Sequence, residues 1–66
     1  MQIIVNGAAR EVSAQVDVAA ALLELGFGDA VVATALNGEF LAMGMRGATR
    51  LSPGDQLEVL APMQGG

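Results

Sequence analysis

Asp17-Val18-Ala19-Ala20-Ala21-Leu22-Leu23-Glu24-Leu25-Gly26 is where this 66-residue chain changes period. Val18, Leu22 and Leu25 fall at i, i+4 and i+7 with Ala21 beside them, the spacing of one helical face. Asp17 stands where a side chain can cap the free N–H groups and sits well at the positive end of the helix dipole. Gly26 can take the left-handed conformation past the helix end, and Phe27 can then fold back onto Leu22. The pattern predicts a helix over residues 18–25.

The flanking segments read as strands. Gln2-Ile3-Ile4-Val5 is short and β-branched, and Asn6-Gly7 after it is a hairpin signal. Residues 10–13 alternate and are expected to pair back antiparallel. Residues 31–36 are strand-like up to the turn pair Asn37-Gly38, and residues 39–41 make a short strand. Residues 42–48 hold two Gly and two Met without a period and are expected to be irregular. Ser52-Pro53-Gly54-Asp55 has the type II turn preference, with Pro at i+1 and Gly at i+2. Residues 56–60 alternate, with Leu57 and Val59 inward. One helix cannot bury its stripe alone, so it packs across one face of a mixed sheet, an α+β domain.

The length allows one domain with a marginal core, since so short a chain buries only about 60% of its unfolded surface. Apolar residues make up 53% and charged residues 15%, a folding composition with few aromatics. There is no Cys and no His, so the usual nucleophilic thiol, disulfides and the common neutral-pH base are all missing. There is no Lys either, which removes Schiff-base chemistry. The cations are Arg10, Arg46 and Arg50 against seven carboxylates, giving a net charge of -4. That balance argues against nucleic acid and suits an electropositive protein partner. The longest apolar run, residues 18–23, falls far short of the roughly 20 residues of a membrane span. Met1 leads into a strand without a charged n-region, so a cytoplasmic location is expected.

Asp17, Asp29 and Asp55 sit where caps and turns want an Asp, and Glu24, Glu39 and Glu58 read as solvated surface charges. No carboxylate pair has the support of an acid–base motif. The acidic residues also lack the close alternation of a calcium loop, and no metal site is expected. The C-terminal stretch Pro62-Met63-Gln64-Gly65-Gly66 is different. Pro62 helps stop the strand, and five residues at about 3.4 Å each give a reach of roughly 17 Å. A Gly-Gly ending arises by chance about once in 200 chains, so by itself it is moderate support for a role beyond a frayed tail. Two terminal glycines leave a carboxylate unshielded and able to enter a narrow cleft. If this chain takes part in chemistry, the reacting atom belongs to Gly66. ATP can activate such a carboxylate as an acyl-adenylate, and a sulfur nucleophile can then convert it to a thiocarboxylate.

Ala33-Thr34-Ala35-Leu36-Asn37-Gly38-Glu39-Phe40, then Thr49-Arg50-Leu51, Gly54-Asp55-Gln56-Leu57-Glu58-Val59 and the ending Ala61-Pro62-Met63-Gln64-Gly65-Gly66 resemble the ThiS family of sulfur carriers in thiamine thiazole synthesis. Val5-Asn6-Gly7 and Ala21-Leu22-Leu23-Glu24-Leu25-Gly26 agree more loosely. The resemblance implies a ubiquitin-like β-grasp over residues 1–61 and a flexible tail over residues 62–66. It implies that the chain is a co-substrate rather than an enzyme, with no bound cofactor. An adenylating enzyme related to ubiquitin-activating enzymes would use ATP and magnesium on Gly66. Sulfur would come from a persulfide donor, and thiazole synthase would receive it. Gly65 carries over with Gly66 as the reactive tail; Pro62, Met63 and Gln64 are expected to thread into partner clefts. Many relatives have Pro-Arg after the short strand where this chain has Ala42-Met43.

Leu60 and Ile4 are expected on the sheet face away from the helix, and with Phe40 they are the expected partner surface. The alternatives are a carrier for another product, such as molybdopterin, a siderophore or cysteine, and a ubiquitin-like interaction module whose tail is never activated.

Overall fold

A computed structural model describes residues 1–28 and 30–61. Two Asn-Gly pairs organise the sheet. Asn6 and Gly7 have φ of 50° and 85°, and Asn37 and Gly38 have 51° and 86°. Positive φ at both central residues gives the turn whose twist matches that of a two-residue hairpin. The first turn joins β1 (Gln2–Val5) to β2 (Ala8–Glu11), with Val5 opposite Ala8. The second joins β3 (Ala33–Leu36) to β4 (Glu39–Leu41), with Leu36 opposite Glu39. Because the first turn is so tight, β2 begins at Ala8 rather than at the expected residue 10. Val12 lies past its end and is buried in the core.

β5 (Gln56–Leu60) occupies the centre of the sheet, whose strand order is β2-β1-β5-β3-β4. It runs parallel to β1 and antiparallel to β3. The turn before it forms as expected, with the Asp55 N–H donating to the Ser52 carbonyl at 3.0 Å and Gly54 at φ 84°. Alternation then buries Leu57 and Val59, as expected, and turns Gln56, Glu58 and Leu60 to the other face. Ile3 and Val5 join the inward pair from β1, and α1 (Val18–Glu24) adds Val18, Ala21 and Leu22. Each Val, Leu or Ile among these contributes about 1.5–3 kcal/mol on full burial, and Ala21 less. One helix on one face of a mixed five-stranded sheet is the β-grasp arrangement.

The helix ends are built as the residues require. Asp17 accepts from the Ala20 N–H at 2.8 Å. At the other end the Gly26 N–H donates to the Leu23 carbonyl and the Phe27 N–H to the Leu22 carbonyl, the paired bonds of a glycine-terminated helix, with Gly26 at φ 94°. Leu25, expected inside the helix, is its C-terminal cap. The Val18 N–H donates to the Thr49 carbonyl and the Leu51 N–H to the Val16 carbonyl. These bonds tie the start of the helix to the segment leading into β5.

Two further expectations need correction. The third strand spans Ala33–Leu36, not residues 31–36; Val31 is exposed, and Val32 is buried outside the ladder. Residues 42–48 are not irregular, because Met43–Ala48 forms a 3-10 helix. Its pattern is inverted: Met43 and Met45 face solvent, and the buried side chain is Arg46. An apolar-periodicity reading could not find a turn whose inward position carries a cation.

Candidate functional site

The tail residues singled out in the sequence, Pro62, Met63, Gln64, Gly65 and Gly66, lie outside the described residues. Asp29 does too. The strand that carries the tail, and the sheet face beside it, are described in full.

On that face the ladder fixes which side chains share a surface. Ile4 is level with Gln56, Glu58 with Ala35, Ala35 with Phe40, and Ala33 with Leu60. All of these point away from the helix, since Ile3, Val5, Thr34, Leu57 and Val59 point toward it. Phe40 is 75% exposed and Leu60 is 64% exposed, whereas Ile4 is half-buried. Ile4 and Leu60 therefore share one face, as expected, Phe40 lies on it too, and the carboxylate of Glu58 is set among them. A shallow cleft of about 250 Å³ lies between the two Asn-Gly turns, with Ile4, Gln56 and Glu58 in its lining. Val31, Ala33, Leu60 and Ala61 line a second hollow of about 290 Å³ where the chain leaves β5.

Both turn asparagines also grip β5. The Asn37 N–H donates to the Gln56 carbonyl at 2.7 Å, and its Oδ1 accepts from the Gln56 N–H at 2.9 Å. At the other end the Asn6 Oδ1 accepts from the Val59 N–H at 2.8 Å, and its Nδ2 donates to the Val59 carbonyl at 3.1 Å. Read as sequence, Asn6 and Asn37 are turn residues only. The choice of Asn over Gly at the first turn position was the available signal for a further use.

Two charged side chains have defined partners; Glu24 is exposed, as expected of a surface charge, but is not free. Glu24 accepts from the Ser13 N–H at 2.9 Å. The Ser13 hydroxyl and then this N–H hold its carboxyl below the ordinary glutamate value of 4.5. Arg46 is 9% exposed, and its guanidinium donates to the hydroxyl of Thr34 and the carbonyl of Val32. Among the described residues no helix is long and apolar enough to cross a membrane.

The ThiS family model matches residues 3–66. Among curated proteins no match was found. Among solved structures, the chain is similar to a crystal structure of the thiamine biosynthesis protein ThiS from Geobacter metallireducens. The two are 35% identical with a TM-score of 0.84, and the match covers 100% of each chain. An NMR solution structure of a thiamine biosynthesis protein from the same organism is 33% identical with a TM-score of 0.81. That match covers 100% of this chain and 88% of the other.

Proposed function

The chain belongs to the ThiS family, and on that premise we propose that it is a sulfur carrier of thiamine biosynthesis that is acted upon rather than catalytic. The observation that carries this reading is a family match running through residue 66, joined to full-length likeness to a thiamine biosynthesis protein. The Gly66 carboxylate attacks the α-phosphate of ATP on an adenylating partner, and pyrophosphate leaves with magnesium. A persulfide sulfur then displaces AMP from the acyl-adenylate, and a thiol of the sulfur-donating partner attacks the resulting acyl disulfide, leaving a thiocarboxylate on Gly66 and a disulfide on that partner. Thiazole synthase takes that sulfur. The carrier's inventory suits a passive role, because it has no Cys, His or Lys to compete for the activated carbonyl.

Partners dock on the open face through Leu60, Phe40 and Ile4, while Pro62, Met63, Gln64 and Gly65 thread toward the reacting centre. A net charge of -4 favours encounter with an electropositive partner surface.

The test is intact mass after incubating the untagged protein with ATP, magnesium, the adenylating enzyme and a sulfur source. Replacement of one oxygen by sulfur, mapped to Gly66, is expected. No adduct, with a control carrier converted in parallel, overturns the reading in favour of an interaction module.

A further inference from the structure

A carrier whose reacting atom works inside another protein depends on the direction in which its chain leaves the last strand. We infer that Asn6 is the positioning residue that sets this exit, an inference that rests on the function proposed above.

Alternate residues of β5 turn their backbone groups to opposite neighbours. Gln56, Glu58 and Leu60 face β3, where Leu60 is paired with Ala33, while Leu57 and Val59 face β1. β1 stops at Val5, and the chain turns away at Asn6-Gly7 after the Asn6 N–H donates to the Leu57 carbonyl at 3.1 Å. The next peptide groups on that side, those of Val59, meet the Asn6 carboxamide instead of a strand. Both of its hydrogen bonds go to Val59, a residue 53 positions away. A carboxamide carries a donor and an acceptor like the backbone it replaces, so one side chain extends the parallel ladder by a further step. Without it, β5 is held from both sides only as far as Leu57. Beyond Leu57 the strand then hangs from the β3 side alone, through the Leu60–Ala33 pair, and the end from which the tail leaves is free to twist about that single edge.

Asn is suited to this site because φ at Asn6 is 50°, a left-handed value that Asn and Gly tolerate and most residues resist. Gly would keep the turn and lose both bonds; Asp would keep the acceptor and lose the donor. Asn37 provides a matched control. It has φ of 51° in an equivalent turn and also grips β5, but at Gln56, the end remote from the tail.

The experiment compares wild type, Asn6→Gly, Asn6→Asp and Asn37→Gly in adenylation by the activating enzyme, measured as ATP–pyrophosphate exchange well below each Tm. Hydrogen exchange at the Val59 amide is followed by NMR in parallel. Asn6→Gly is expected to lose Val59 protection and roughly ten- to a hundredfold in kcat, with KM for the carrier within about twofold, because docking is intact and only placement is lost. Asn6→Asp should fall between it and wild type. Asn37→Gly should lower Tm comparably and leave kcat unchanged. Equal kcat in Asn6→Gly and Asn37→Gly, or unchanged Val59 protection in Asn6→Gly, overturns the assignment. Should Asn6→Gly not fold, the Asn6→Asp comparison decides by the same readouts. A wild-type carrier that is not adenylated at all defeats the proposed function itself, a result distinct from wild-type turnover with indifferent variants.

Discussion

Arg46 reaches from the 3-10 helix to the buried hydroxyl of Thr34 on β3, donating from Nε at 3.0 Å. The same hydroxyl donates onward to the Leu41 carbonyl on β4 at 2.8 Å, and the Arg46 Nη2 donates to the Val32 carbonyl at 2.6 Å. Thr34 is thus a relay in which the charge of one element polarises the hydroxyl that secures the next. A strand edge, the loop before it and the 3-10 helix are held by one side chain.

Loss of either partner leaves a buried polar group unmatched. Arg46→Met should destabilise by roughly 2–3 kcal/mol and Thr34→Val by about 1–3 kcal/mol. The double variant should be clearly less destabilised than the sum, since removing both ends leaves fewer orphaned groups. Urea unfolding at constant m-value measures this; strict additivity would mean the two side chains act independently.

Glu24 gives the domain an acid-sensitive contact between the start of the chain and its helix. Its carboxyl titrates below its ordinary range when folded, because the Ser13 hydroxyl and N–H stabilise the anion. A carboxylate with a depressed folded pKa adds stability above its unfolded pKa and loses it as pH falls through the folded value. Wild type should therefore exceed Glu24→Gln in stability at neutral pH, and the gap should close as acid protonates the carboxyl. Chemical unfolding of both proteins across that acidic window tests it. A gap independent of pH would remove the charge from the explanation.

Leu60→Asp is expected to leave the fold intact, within about 0.5 kcal/mol, because the side chain faces solvent. It should weaken binding to the adenylating enzyme by about tenfold or more, since a second carboxylate beside Glu58 would replace an apolar contact of the docking surface. Titration calorimetry decides, and equal affinity would relocate the interface.

Adding a single residue after Gly66 converts its carboxylate into an amide and should abolish thiocarboxylate formation while unfolding midpoints stay unchanged. Sulfur transfer that survives the extension would take the chemistry away from Gly66.

Much of this was open to sequence reading where the signal is local. α1 declared itself through Val18, Leu22 and the Asp17 cap, and β5 through its alternation, each within ten residues. The site was less legible because its parts are joined over distance. Nothing near Asn6 points to Val59, and only the parallel pairing of the first and last strands brings them together. Arg46 was hidden for a different reason. A cation in the buried position of a short 3-10 helix, with methionines outside, reverses the pattern from which burial is inferred. Val31 misled in the simplest way, since β-branched residues favour a strand without specifying its first ladder bond.

The centre of this sheet, β5, is synthesised after the four strands that flank it. Until β5 is synthesised, the hairpins β1–β2 and β3–β4 have no common neighbour, and neither is stable alone in water. Residues 1–60 must therefore be made before the long-range pairings can form, which favours slow, all-or-none folding over folding in stages. A product interrupted before residue 56 lacks the keystone of the sheet and is left open to proteolysis. Translation past residue 60 is thus the point at which the sheet can first close.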